Sequence, residues 1–338
     1  MTASQPVVIA IPTLRAGNAL ESCLAALNRQ SRRDFEVIVI DNGTDSAIPA
    51  AENFAFPLRV LRPRSNIGFG RAINLAIEES GAELIAALND DTEPDACWLE
   101  EMVRQIESGP RVGMCASRIR LRDSGQLDSA GMSICLDGSS KQRGGSMPPS
   151  RFAQSESVLF PSACAALYRR RMLEEIGLFD GDFFLYCEDT DLGLRAVWAG
   201  WQCRYAAAAG VTHRYSWTAQ PYSALKAHYV ERNRLWVALK NFPLALLPLV
   251  PFAAAARYLY QLFYALTGKG AAAKFRRSGA SVAEACAIVT RAHFETFTNL
   301  PALLRKRAEI SHRRRIGSVE FIQLMLRHRV RVRDLARA

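Results

Sequence analysis

The sequence predicts an α/β fold, a mainly parallel central sheet followed by a helical C-terminal extension. Two patterns point there. From Val7 to Leu88, short β-branched apolar runs alternate with segments of helical spacing, as in strand–helix–strand units that build a parallel sheet. Beyond about Tyr222 these runs cease, and long helical, apolar and then basic stretches take over. A chain of 338 residues suits one α/β domain of about 200–250 residues with an appendage. We divide it into residues 1–235 and 236–338.

The first run, Val7-Val8-Ile9-Ala10-Ile11, is apolar at every position, as a strand covered on both faces is. Pro12 and Thr13 stop it. Leu20, Leu24 and Leu27 share one helical face between Ala19 and Gln30. Phe35 to Ile40 is the second strand, ending at Asp41-Asn42-Gly43, and Leu58 to Leu61 is the third. Asn66 to Gly70 is a loop that leads into a helix from Arg71 to Ser80. Leu84 to Leu88 is the fourth strand, closed by Asn89-Asp90-Asp91. Residues 121–157, rich in Gly, Ser and Pro, read as a hairpin or long loop over the site. A short helix from Met172 ends at Gly177, an acid-rich helix start follows at Glu188, and Ala224 to Lys240 is helical.

Leu244 to Leu266 is apolar, but it has the length of a membrane span only with Arg257 inside it, and Pro243, Pro248 and Pro251 break it. We read it as an interfacial or re-entrant element; a buried helix pair and a true span are the other readings. From Arg305 to Arg337, ten arginines and one lysine stand against three acids, within a net charge of +10. Such a tail suits an anionic membrane surface, with a solvated basic helix as the plain alternative. Neither zinc-finger spacing nor an aromatic RNA-binding signature accompanies it, so no nucleic-acid partner is expected. The eight cysteines form no CxxC pair, and the N-terminus runs almost directly into a strand. A cytoplasmic protein, peripheral on the inner face of the cell membrane, is expected.

In an open α/β sheet the ligand crevice lies outside the carboxyl ends of the strands. Pro12-Thr13, Asp41 and Asn89-Asp90-Asp91 stand at such ends and would converge on one crevice. Asp41 offers an acceptor-only carboxylate suited to a base imide N–H, although Asp-Asn-Gly is also strong turn chemistry. Asn66-x-Gly68-x-Gly70 permits close backbone approach to a ligand, beside a helix N-terminus that favours anions. Asp90 and Asp91 would repel one another without a hard divalent cation, unless they only cap the next helix. Glu188, Asp189 and Asp191 fall within four positions, more acid than capping requires. Arg195 follows one turn after Asp191 and suits an i, i+4 pair with it. His213, on an apolar strand, is either an ordinary core histidine or a ligand beside carboxylates.

In this order the motifs resemble glycosyltransferase family 2, the inverting sugar transferases of GT-A fold, a Rossmann-like architecture, and in particular their rhamnosyltransferase-like members. The likeness runs from about Val7 to Asn241. It implies that Asp41, Asn66, Gly68 and Asp90 bind a nucleoside-diphosphate sugar, joined by Pro12 and Thr13 from their place at a strand end. It implies Asp91 and His213 as ligands of Mg²⁺ or Mn²⁺, and Asp189 as general base with Glu188 as the alternative. Arg232, Arg234 and Trp217 are expected at the diphosphate or the acceptor. The implied donor is deoxythymidine-diphosphate rhamnose first, the acceptor a glycan or lipid-linked, and the role bacterial cell-surface polysaccharide synthesis. The Q-x-x-R-W signature of processive synthases is absent, which favours single-sugar addition. Two rival readings stand beside it. A nucleotidyltransferase of related fold would carry a Gly-rich, Lys-bearing N-terminal loop where Pro12-Thr13-Leu14-Arg15 stands. A non-catalytic membrane-associated scaffold would have no need of Asp91, Asp189 and His213.

Overall fold

The computed structural model describes residues 6–43, 48–214, 223–268, 270, 277 and 281–337. Strands β1 (Val7–Thr13), β2 (Phe35–Asp41), β3 (Leu58–Leu61) and β4 (Leu84–Leu88) lie parallel in the order β3-β2-β1-β4. Helices α1 (Asn18–Leu27) and α2 (Phe69–Glu78) connect them. Then come β5 (Thr92–Pro94), α3 (Trp98–Ile106), β6 (Val112–Leu121) and the short strands β7 (Leu127–Ser129), β8 (Met132–Ile134), β9 (Ser140–Gln142) and β10 (Glu156–Val158). After β11 (Ala165–Arg169) follow α4 (Arg170–Ile176), α5 (Glu188–Trp198) and β12 (Gln202–His213). The second half of the sheet is mixed. β11 inserts antiparallel between β4 and β6, while β12 runs parallel to β6. The stretch expected to be irregular over the site contains β7 to β10, and β8 and β9 pair as a separate hairpin.

Successive residues of β1 enter opposite cores. Val7, Ile9 and Ile11 pack with Leu20 and Leu24 of α1 and with Trp98 and Met102 of α3. Val8 and Ala10 pack with Ile73 of α2, Leu173 of α4 and Leu192 of α5. A strand's side chains alternate between faces, so a sheet covered on both sides demands an unbroken apolar run. Each such Val or Ile, fully buried, contributes roughly 1.5–3 kcal/mol.

The C-terminal helices are α6 (Ala224–Asn241), α7 (Val250–Leu266), α8 (Val282–Thr298), α9 (Leu300–Arg313), α10 (Ser318–Arg327) and α11 (Val332–Arg337), with a 3₁₀ segment over Leu244–Leu249. The division at 235/236 falls inside α6, which continues unbroken through it. Leu303, Ile310, Phe321 and Met325 belong to the same apolar cluster as the sheet. Phe321 of α10 stacks on Trp198 of α5, ring centroids 3.9 Å apart.

Candidate active site

A cleft of about 480 Å³ opens at the carboxyl ends of β1 and β4 and at the start of α5. Pro12, Thr13, Asn66, Gly68, Asp90, Asp91, Glu188, Asp189 and His213 line it together, so the separated motifs do meet. Asp41 is 2% exposed beside the cleft, with Arg62 Nε 3.6 Å from its Oδ2. Its Oδ1 is buried without a hydrogen-bond donor among the described residues. Trp217 lies outside the described residues.

On the β1–β2 side, Thr13 Oγ1 donates to Asp90 Oδ2 at 2.6 Å. Burial raises the Asp90 pKa, Thr13 opposes the rise, and neighbouring Asp91 adds to it, leaving it at about 6. Asn42 lines the cleft as well, and sequence reading passed over it. Its side chain accepts from Ile67 N at 2.9 Å and donates to Gly68 O at 3.2 Å, which holds the Asn66–Gly70 loop. Gly68 has φ +82°, and a Cβ there would lie 2.3 Å from the carbonyl oxygen of Phe184. Phe69 N donates to that same oxygen at 2.9 Å. Only glycine lets the two loops lie this close.

Asp91 and His213 meet through strand register. β5 begins one residue after Asp91, and its Thr92 pairs with His213 of β12. Arg214 N donates to Asp91 O at 3.0 Å, closing the junction. His213 Nε2 then lies 3.3 Å from Asp91 Oδ1, and His213 Nδ1 lies 2.8 Å from Asp128 Oδ2. Burial works against protonation of His213, but Cys164, Asp128 and Asp91 around it hold its pKa well above the usual range. The site therefore favours positive charge, from an imidazolium or from a bound cation. Two ligand atoms on adjacent corners of an octahedral ion, with bonds of about 2.1 Å, lie about 3 Å apart. The Asp91–His213 spacing fits that edge. Asp128, on the far nitrogen, is the carboxylate partner that metal-bound histidines commonly have. Among the described residues no third His, Cys, Asp or Glu completes a cage. That suits an ion sharing its remaining positions with phosphate oxygens and water.

Across the cleft, α5 begins at Glu188 and Asp189. Asp189 Oδ2 accepts from Ala163 N at 3.2 Å, and Oδ1 accepts from Thr190 N at 2.7 Å and Thr190 Oγ1 at 3.2 Å. Glu188 Oε2 is buried with no donor among the described residues. Burial raises both pKa values. For Glu188 the charge of Asp189 adds to the rise, and for Asp189 the hydrogen bonds from Ala163 and Thr190 oppose it. Asp191 is structural: its carboxylate takes Arg195 Nε at 2.9 Å, Lys240 Nζ at 2.7 Å and Asn241 Nδ2 at 2.9 Å.

The loop before Glu188 is strained. Phe184, Tyr186 and Cys187 have φ of 62°, 67° and 67°, in the left-handed region. Two neighbours on α6 hold it there. Asn233 Nδ2 donates to the carbonyls of Phe183, Leu185 and Tyr186 at 3.0, 2.8 and 2.7 Å. Arg232 donates to Asp182 O at 3.0 Å and Phe183 O at 2.9 Å. This corrects the expectation for Arg232, whose guanidinium clamps backbone and sits 3.4 Å from Glu295. Arg234 is corrected too. It is fully buried, paired with Glu231, and donates to Tyr258 Oη at 2.8 Å and Asp137 O at 3.1 Å. Neither arginine lines the cleft. Lys226 of α6 does, with Nζ 5.3 Å from the Tyr186 ring centroid.

A doubly covered α/β sheet, with an acid–histidine pair at its strand ends and a carboxylate pair at the start of a facing helix, is the architecture of GT-A glycosyltransferases. Solved structures share the fold. A mannosyltransferase from Pyrobaculum calidifontis in complex with GDP-Man and Mn²⁺ superposes with TM-score 0.51 at 16% identity, over 95% of this chain and 88% of that one. A GalNAc transferase with UDP, GalNAc and Mn²⁺ gives TM-score 0.57 at 14% identity, over 71% of this chain and 48% of that one. The profile described as Glycosyl transferase family 2 matches residues 8–177, just over half the sequence. The N-acetylglucosaminyl-diphospho-decaprenol L-rhamnosyltransferase of Mycobacterium tuberculosis is 31% identical over 255 residues, 68% of this chain and 82% of the relative. An O-antigen chain rhamnosyltransferase of Salmonella typhimurium is 25% identical over 63% of this chain and 67% of the relative. The chain belongs to glycosyl transferase family 2, and it is a glycosyltransferase.

Proposed function

We propose that the protein transfers one sugar, rhamnose from deoxythymidine-diphosphate rhamnose, to a lipid-linked or glycan acceptor in cell-surface polysaccharide synthesis, with inversion at the anomeric carbon. The observation that carries the reading is the single cleft that gathers Asp91 with His213 on one side and Glu188 with Asp189 on the other. The two rhamnosyltransferase relatives support the choice of sugar, and the decaprenol-linked acceptor in the name of one supports a lipid-linked acceptor.

In this reading Asp41 accepts from the base imide through its unpaired Oδ1, and Asp90 meets the ribose. Asp91 and His213 would hold Mg²⁺ or Mn²⁺, which would neutralise charge on the departing diphosphate. Lys226 takes the cationic role that sequence reading gave to Arg232 and Arg234. Asp189 accepts the proton of the acceptor hydroxyl as its oxygen bonds to the anomeric carbon and the bond to the diphosphate oxygen breaks. Its raised pKa keeps it basic enough for that task. Glu188 stands beside it as the alternative base. The test is a panel of nucleotide sugars with Mn²⁺ or Mg²⁺ and a polyprenyl-diphosphate sugar acceptor, monitored for released nucleoside diphosphate and lipid-linked product. Preference for another donor would overturn the rhamnose assignment, and full activity in chelator would overturn the metal.

A further inference from the structure

We propose that the outer face of α7 docks on an anionic lipid bilayer, lying along its surface without crossing it. Between Leu244 and Leu266 the sole charged residue is Arg257, and the fold turns it inward. Its Nε lies 2.7 Å from Asp137 Oδ2, and its terminal nitrogen donates to Glu231 Oε2 at 2.7 Å. The outward face is left wholly without charge. Phe252, Leu259, Phe263 and Leu266 form one stripe at helical spacing and are 74, 69, 57 and 74% exposed. Leu244, 71% exposed, extends the apolar surface onto the 3₁₀ segment.

The surface has a positive margin. α11 packs against α7, and Arg331, Arg333 and Arg337 in and beside it are exposed. An apolar helix face flanked by basic side chains is the two-signal arrangement that holds a protein to anionic lipid. A second copy of the chain would bring this positive margin against itself. The apolar stretch Leu244 to Leu266, 23 residues, has the length of a span, but the buried pairs of Arg257 disfavour one. Withdrawing α7 into lipid would take Arg257 from the buried carboxylates of Asp137 and Glu231.

The same pairs give docking a purpose, which rests on the lipid-linked acceptor reading. Asp137 lies in the turn of the β8–β9 hairpin, and Ser139, Ser140 and Gln142 of that hairpin line the cleft. The bilayer-facing helix is thereby fixed to one wall of the active site.

Flotation of the full-length protein with phosphatidylcholine vesicles, with and without phosphatidylglycerol, at low and high salt, tests the docking. The chain should float with the anionic vesicles and release at high salt. Leu259→Glu with Phe263→Glu should abolish flotation, and Arg333→Glu with Arg337→Glu should weaken anionic binding by about tenfold or more. All four side chains are solvent-facing, so unchanged melting curves will show that the variants are folded. Absence of flotation, or binding indifferent to both variants, overturns the proposal. So does a dimer that Leu259→Glu with Phe263→Glu dissociates and that ignores vesicles, which would assign the face to a second copy. Resistance to carbonate extraction would replace docking by a span. Vesicle binding requires no sugar transfer, so its failure is separate from failure of the donor panel.

Discussion

Replacing Asn233 by leucine removes the side chain that pins three carbonyls of the loop ahead of Glu188 and Asp189. That loop holds three non-glycine residues at positive φ, each costing about 1–3 kcal/mol. The strain persists because Asn233, 0% exposed, and Arg232 satisfy the carbonyls. Without the amide, the half-buried carbonyls of Leu185 and Tyr186 lose this donor, at no more than about 1–3 kcal/mol each, while Phe183 O keeps Arg232, and the backbone gains by relaxing. Asp189 lies three residues past Tyr186, so the relaxation reaches the proposed base. Misplacement by about 1 Å costs about 10²-fold in rate. We expect kcat to fall by about 10–10²-fold, with a smaller effect on donor KM, since Asp41, Asp90 and Asp91 stand at strand ends away from this loop and only the Gly68 seam connects it to the donor side. Asn233→Asp keeps the volume but sets carboxylate oxygens against three carbonyls, so it should be worse than leucine in both kcat and melting temperature. Steady-state kinetics at varied donor, with thermal melts alongside, measure this. A leucine variant within twofold of wild-type kcat, or one that loses only donor affinity, would refute the reasoning.

Asp189→Asn should cut transfer by about 10²–10⁴-fold while calorimetry finds donor affinity kept; if Glu188→Gln is the more damaging, the base is Glu188. Both carboxyls are raised by burial, so kcat should climb with pH through a limb above the ordinary carboxylate range, and a profile already flat at its acid end would contradict this. Asp128→Asn takes the carboxylate from His213 Nδ1 and should weaken Mn²⁺-supported donor binding by about 10–100-fold; unchanged half-saturating Mn²⁺ would leave Asp128 a purely structural role. Glu231 is raised by burial, but Arg257 and Arg234 outweigh this and hold its pKa at about 2, below the ordinary 4.5. A depressed pKa stabilises the fold above the unfolded value and loses that contribution as pH falls from about 4.5 toward 2, on the order of 3 kcal/mol. Urea midpoints followed into acid should show the loss, and Glu231→Gln should flatten it.

β1 and β4 of the parallel half were legible because both faces of the sheet are covered there, so Val7–Ile11 and Leu84–Leu88 are apolar at every position. The motifs at its strand ends could be placed in one crevice by topology alone. In the mixed half β7 to β10 were not legible, because each is three residues long and carries no periodicity. Asp128 sits in one of these and gives no local sign that it meets His213, 85 positions away. Arg232 and Arg234 looked available for phosphate because a basic residue's partners are not visible in sequence: Arg232 clamps the carbonyls of Asp182 and Phe183, and Arg234 meets Asp137 O and Tyr258 besides its neighbour Glu231. Asn233 passed unnoticed because an asparagine in a helix has no signature until three carbonyls of another element surround it.

The contact between Gly68 and the carbonyl of Phe184 bears on how members of this family can be recombined. On the proposed function, the donor-binding residues from Pro12 to Asp91 and the acceptor-activating base at the start of α5 lie in separate stretches of sequence and invite a crossover between β4 and α5, joining the nucleotide specificity of one enzyme to the acceptor specificity of another. The two stretches nevertheless share a seam of backbone with no room for a single methyl group. A chimera whose incoming loop carries its carbonyl elsewhere, or whose resident loop lacks the glycine, would open at that seam. Grafts of acceptor specificity should therefore include residues 66–70 together with 182–189, inherited as one unit from the same parent.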